Sequence, residues 1–184
     1  MDQQNQLKKK FDKGQFSPSA GRLKIAIWYL CNLVCFNSGL LPFSNVLVAI
    51  LRLFGAKIGR DVRIKPGIYI KYPWKLKIGD HSWLADCRIE NLDHVTIGCH
   101  VCISSQVLIL TGNHNYKSRT FDLMTSPVQV DNGAWIAARA IVCPGVKMGS
   151  HAILMTASVA NGDMLPYIIY KGNPARPIRK RSIA

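Results

Sequence analysis

Large aliphatic residues recur every six positions in the second half of this 184-residue chain: Val130, Ile136, Val142, Met148 and Leu154, each followed four places on by Ala134, Ala140, Val146, Ala152 and Ser158. Ile97 and Ile103 keep the same step, as do Ile58, Ile64 and Ile70 earlier, while Ile78 and Leu84 form a short run of shifted phase. A period of six fits neither the 3.6-residue turn of an α-helix nor the alternation of a strand, so it marks a repeat architecture. Three hexads make one triangular coil. Each large aliphatic points inward and stacks on its equivalent in the next coil, and the small residues permit tight corners. The chain is thereby expected to build one continuous apolar core from neighbour contacts. Its hydrophobic fraction of 48% is enough to fill that core.

The length suits one domain with an appendage rather than a two-domain enzyme. A formal net charge of +14 points to an anionic partner or substrate, a class that includes coenzyme A, sugar nucleotides and acidic lipid. Nucleic acid would satisfy the charge, yet the chain shows no nucleic-acid motif and no interleaving of stacking aromatics with the basic residues. The six cysteines fall in apolar stretches or hexads of a chain that is not cysteine-dense, which fits a reducing cytoplasm better than a disulfide framework. Cys99 and Cys102 bracket His100 without a second ligand pair at zinc-site spacing, so no metal is expected.

Residues 1–24 read as a flexible basic arm carrying Lys8-Lys9-Lys10. Residues 25–55 hold two apolar stretches separated by Asn37-Ser38-Gly39 and Pro42, with Ser44 expected as an N-cap and Gly55 as a helix stop. Each stretch falls short of the roughly 20 apolar residues of a membrane-spanning helix. Two readings of this helical hairpin stand: a cap over the open end of the solenoid, and a peripheral foot at the inner membrane face with Trp28, Tyr29, Leu40, Leu41 and Phe43 at the interface. The late apolar start, with no small-x-small site after it, argues against a cleaved signal peptide.

Residues 112–129 break the rhythm with a polar excursion opening at Thr111-Gly112-Asn113-His114-Asn115-Tyr116. Departures from a repeat are where function tends to sit. His81, His100 and His151 each lie three places after an inward aliphatic and so occupy equivalent solvent-facing corners; His94 lies where the phase slips and is given no role. His114 alone stands on the loop. Imidazole, with an ordinary pKa of about 6.5, can accept a proton near neutral pH.

These hexads, with Leu51-Arg52-Leu53-Phe54-Gly55-Ala56-Lys57-Ile58-Gly59, Asn91-Leu92-Asp93-His94-Val95-Thr96-Ile97-Gly98 and Gly172-Asn173-Pro174-Ala175, resemble the hexapeptide-repeat acyltransferases, and within them the colanic acid biosynthesis acetyltransferases. The resemblance covers roughly residues 56–180. It implies a left-handed parallel β-helix over 56–166, a basic tail over 167–184, and a homotrimer with each site between two β-helices. It implies an O-acetyltransferase that moves acetyl from acetyl-CoA directly to a sugar hydroxyl of a cell-surface or exopolysaccharide precursor. His114 becomes the general base, and Asn91 a polar residue orienting the acceptor or His114. Trp135 would lie beside the pantetheine channel. Ala138, Thr156 and Asn161 fall on positions that touch coenzyme A, and Arg176 and Arg179 match residues that meet its phosphates. Gly162 stands where relatives carry a lysine, for which Lys171 is a substitute. Three alternatives remain: an N-acetyltransferase on an amino sugar, a non-catalytic scaffold or membrane-binding module, and a metal enzyme of the γ-type carbonic anhydrase kind, whose histidine spacing is lacking. Lys117 and Arg119 on the loop favour an anionic acceptor.

Overall fold

A computed structural model describes Leu7, Lys13, Gly14 and residues 16–183; Lys8-Lys9-Lys10 and most of the expected arm lie outside the described residues. From Lys57 to Ala160 the chain winds as a parallel β-solenoid whose coil strands are two or three residues long, because every coil turns three corners. Among the described residues the strands stack into three faces. The first face runs Lys57–Ile58, Leu76–Ile78, Val95–Ile97, Val128–Val130 and Lys147–Met148. The second runs Arg63–Ile64, Trp83–Leu84, Cys102–Ile103, Trp135–Ile136, Ile153–Leu154 and Ile168–Gly172. The third runs Tyr69–Ile70, Arg88–Glu90, Leu108–Leu110, Ile141–Val142 and Val159–Ala160. Register sets aliphatic on aliphatic, as in Ile64, Leu84, Ile103, Ile136 and Leu154 down the second face. All of these are buried in one core.

The corners explain three of the histidines. Asp61, His81, His100 and His151 occupy one column with φ of 51°, 59°, 56° and 60°, a left-handed conformation that Asp and His tolerate better than most residues with a Cβ. His81 stacks on His100 with ring centroids 4.9 Å apart, and His151 on Tyr167 at 4.7 Å. In this column Gly133 is required by space as well, since a Cβ there would lie 2.5 Å from the His151 ring. The shifted phase after Leu84 also has a local cause: the second corner of that coil is one residue shorter, closed by the Cys87 N–H donating to the Ala85 carbonyl at 2.8 Å, so the next inward residue is Ile89.

The N-terminal segment packs on the open end of the solenoid. Helix α1 (Arg22–Cys31) runs into a π-helical turn over Asn32–Asn37, and helix α2 spans Ser44–Leu53. Trp28 is 2% exposed, packs against Phe36 and Phe54, and donates its indole N–H to the Ile70 carbonyl, which also accepts from the Asn32 side chain. Leu41 is half-buried against the same core. Trp28 and Leu41 are therefore cap residues and leave the set expected at a membrane interface. Ser44 differs from expectation too. Its hydroxyl accepts from the Ile64 N–H at 2.8 Å, tying the helix to the first coil, while Phe43 holds the N-cap position. Gly55 (φ 99°) ends α2: its N–H donates to Arg52 and the Ala56 N–H to Leu51, the paired closure that needs a left-handed residue. No helix among the described residues is long and apolar enough to cross a membrane.

At the other end the expected tail does not leave the solenoid after Tyr167. Ile168–Gly172 adds a parallel strand to the second face, and Ala175–Lys180 returns antiparallel as its edge, across the cis Asn173–Pro174 peptide.

Candidate active site

The excursion after Leu110 is an antiparallel hairpin. Gly112–His114 pairs with Leu123–Thr125, with His114 opposite Leu123. Its tip is tied by side chains. The Asn115 carboxamide oxygen accepts from the Lys117 N–H, and the Asp122 carboxylate accepts from the Ser118 and Thr120 hydroxyls at 2.6 Å each. Those hydroxyls, Ser118 first, hold the Asp122 carboxyl below the usual carboxylate range. The clip fixes Phe121, which sits at φ 50° with its carbonyl 2.7 Å from His114 Nδ1. A carbonyl only accepts, so Nδ1 carries the proton and the ring lone pair lies on Nε2. That is the tautomer a general base requires.

Beside the hairpin opens a cleft of about 460 Å³, lined by Phe16, Lys75, Asp93, His94, Leu123 and Thr125 among others. Lys75 is buried and donates to the Ser17 and Leu92 carbonyls at 2.5 Å each. Burial pushes its pKa down, and the Asp93 charge opposes the shift.

Asn91 does not reach this surface. Its side chain is 0% exposed and grips the Tyr72 backbone at both ends, accepting from its N–H at 3.0 Å and donating to its carbonyl at 2.6 Å. It staples adjacent coils beneath the corner from which the hairpin springs, and the expectation that it orients the acceptor or His114 gives way to that role.

The residues expected at a donor site lie along the last coils. Trp135 points outward, 39% exposed, and donates its indole N–H to the Ser104 hydroxyl at 3.0 Å. Ala138 and Thr156 share the second corner in consecutive coils, joined by the Ala157 N–H to the Ala138 carbonyl. Arg176 pairs with Lys171. Arg179 pairs with Ile169, and that register column continues through Ile153 to Trp135. Asn161, exposed, follows the Ala160–Val142 pair and so stands at the third corner, on the hairpin's side of the triangle. The fold thus brings Trp135, Ala138, Thr156, Arg176 and Arg179 together on the second face and its end. His114 and Asn161 lie at a different corner of the same chain.

Trp83 escaped the sequence reading. It is exposed on the second face, with the Arg63 guanidinium 5.9 Å from its ring, and lines a groove of about 280 Å³ with Arg63, Lys65, Cys102, Ser104 and Ser105. Trp83 and Trp135 are two coils apart in register, with Cys102 between, a separation of about 10 Å from strand spacing. The signal was present: both tryptophans immediately precede an inward aliphatic, Leu84 and Ile136. Three of the thiols are poor nucleophiles. Burial raises Cys102 and Cys143 and pushes Cys87 up to about 12, so they stay protonated at neutral pH.

No protein-family model matches the chain. Among curated proteins it is 33% identical over 160 residues to the colanic acid biosynthesis acetyltransferase WcaF of Escherichia coli (strain K12), covering 86% of this chain and 88% of that one. It is 28% identical over 130 residues to galactoside O-acetyltransferase of the same organism, covering 68% of this chain and 64% of that enzyme. Among solved structures, the hexapeptide-repeat-containing acetyltransferase VCA0836 of Vibrio cholerae, complexed with acetyl coenzyme A, superposes with a TM-score of 0.82 at 21% identity, over 93% of this chain and 95% of that one.

Proposed function

Because the chain belongs to the hexapeptide-repeat acetyltransferases, left-handed parallel β-helices, we propose that it moves acetyl from acetyl-CoA to a sugar hydroxyl of a cell-surface or exopolysaccharide precursor. The observation that carries the reading is the His114 Nδ1 contact to the Phe121 carbonyl on a hairpin that interrupts the repeat. With Nδ1 anchored, Nε2 takes the acceptor hydroxyl proton as that oxygen attacks the thioester carbonyl carbon. The tetrahedral oxyanion then collapses, the carbon–sulfur bond breaks, and the proton on Nε2 passes to the departing coenzyme A thiolate. Direct transfer fits the raised thiols, none of which is set up to carry the acetyl group.

In the donor role, Trp135 supplies an apolar wall for pantetheine, the backbone at Ala138 and Thr156 lines the channel, and Arg176, Arg179 and Lys171 supply cations for the phosphates. Gly162 brings no charge at its corner, so the phosphate contacts fall to the last two strands, Ile168–Gly172 and Ala175–Lys180. His114 and Trp135 leave the triangle on different sides, which supports a homotrimer whose site takes the base from one chain and the donor wall from its neighbour. The WcaF relationship supports a polysaccharide-precursor acceptor, and exposed Lys117 and Arg119 on the hairpin favour one with an acidic group.

The test is a panel of neutral sugars, uronic acids, amino sugars and nucleotide-linked sugars assayed for acetyl-CoA consumption. A base-labile ester product, with acidic acceptors preferred, is expected. Turnover confined to amino sugars with a base-stable amide would replace hydroxyl by amine as the acceptor.

A further inference from the structure

The outward face of the N-terminal hairpin carries an inference independent of the transfer chemistry. Its orientation is fixed: Trp28 and Asn32 both donate to the Ile70 carbonyl, and Phe36 is buried beneath them. The opposite side of α1 must then face away from the protein. It presents Leu23, Ile27 and Leu30, spaced four and three apart on one helical stripe, and continues through Val34, Leu40 and Phe43. Their exposures run from 50% at Ile27 to 78% at Leu40. No charged residue occurs between Lys24 and Arg52. A helix face turned to water ordinarily carries charge, and contiguous exposed apolar surface of this kind marks an interaction site.

We propose that this face seats on an anionic lipid bilayer. Charge selects the occupant. Residues 13–60 hold six Lys and Arg and no Asp or Glu. Arg22 borders a shallow apolar patch formed with Ile25, Ala26, Tyr29 and Leu30. A second copy docked through the same face would set two carboxylate-free basic segments against each other, which like-charge repulsion opposes, whereas acidic headgroups supply the missing counter-charge. The geometry suits a helix lying in the interface. α1 has ten residues, a length of about 15 Å, and an apolar side bordered by the Arg22 guanidinium. Tyr29, exposed beside Leu30, can place its ring among acyl chains and its hydroxyl among headgroups. The bilayer surface is where a lipid-carried glycan precursor would be met.

The test is flotation of the whole protein with vesicles of phosphatidylcholine alone and of phosphatidylcholine mixed with phosphatidylglycerol. The native protein is expected to float with the anionic vesicles and to bind them less as salt rises. The double variant Ile27→Asp/Leu30→Asp is expected to lose at least about tenfold in partitioning, with its melting temperature and acetyl-CoA affinity unchanged. Ile27→Ser/Leu30→Ser serves the same purpose should the acidic pair disturb folding. Native protein that stays in solution with anionic vesicles would overturn the proposal, as would serine variants that bind as tightly as native. So would light scattering in which the substitutions shrink the native assembly, since a second copy would then cover the face.

Discussion

The lone pair of His114 is directed by a main-chain carbonyl seven residues away, and that carbonyl is held by a clip of side chains at the hairpin tip. Asp122 binds the Ser118 and Thr120 hydroxyls, and Phe121, in a left-handed conformation, turns its oxygen onto Nδ1. Asp122→Ala removes the clip. Its expected effect is a ten- to hundredfold loss of kcat from a displaced base, the order a small misplacement costs, with acetyl-CoA affinity unchanged in calorimetry. The clip is also acid-sensitive in a defined direction. A carboxyl whose folded pKa is lowered contributes above its unfolded pKa and loses that contribution as pH falls through the folded value. The protection factors of the hairpin-tip amides, intrinsic exchange rates divided by the observed ones at each pH, are therefore expected to stay constant near neutrality and to fall only below the ordinary carboxylate range.

Elements show which parts of the molecule were legible in the sequence. Hexad aliphatics such as Ile136 and Leu154 were readable because each inward position repeats its neighbour's environment. The hairpin was not, because Gly112-Asn113-His114 and Leu123-Met124-Thr125 carry no alternation, and their pairing comes from the clip at the tip. The partner of His114 is a backbone oxygen, which no side-chain pattern announces. Asn91 misled for a related reason: a polar residue beside a loop looks the same whether it faces a substrate or staples Tyr72. The sequence leaves Trp28 open between a buried cap and a water boundary, because its stretch has no charge to mark the wet side. The structure buries it, and Trp28→Ala is expected to cost about 3–5 kcal/mol in urea unfolding. Tyr29→Ala, one residue on and exposed, should stay within about 0.5 kcal/mol.

At the scale of the whole molecule, the single chain carries His114 and Trp135 on different sides of the triangle, and the proposed trimer would bring the proposed base and donor wall together. That arrangement predicts complementation. Chains carrying His114→Ala and chains carrying Trp135→Ala are each expected to be impaired alone, and to regain part of the native rate when unfolded and reassembled together. Some interfaces then combine a native His114 from one chain with a native Trp135 from another. No recovery on mixing would place the whole site within one chain. Proton removal by His114 is the central step of the proposed transfer. The direct measurement is the rate of coenzyme A release at saturating acetyl-CoA and acceptor by native protein and by His114→Ala, with donor binding followed in parallel. A fall of about 10²–10⁴ in rate with donor affinity retained is predicted; a variant that transfers acetyl at the native rate would contradict it.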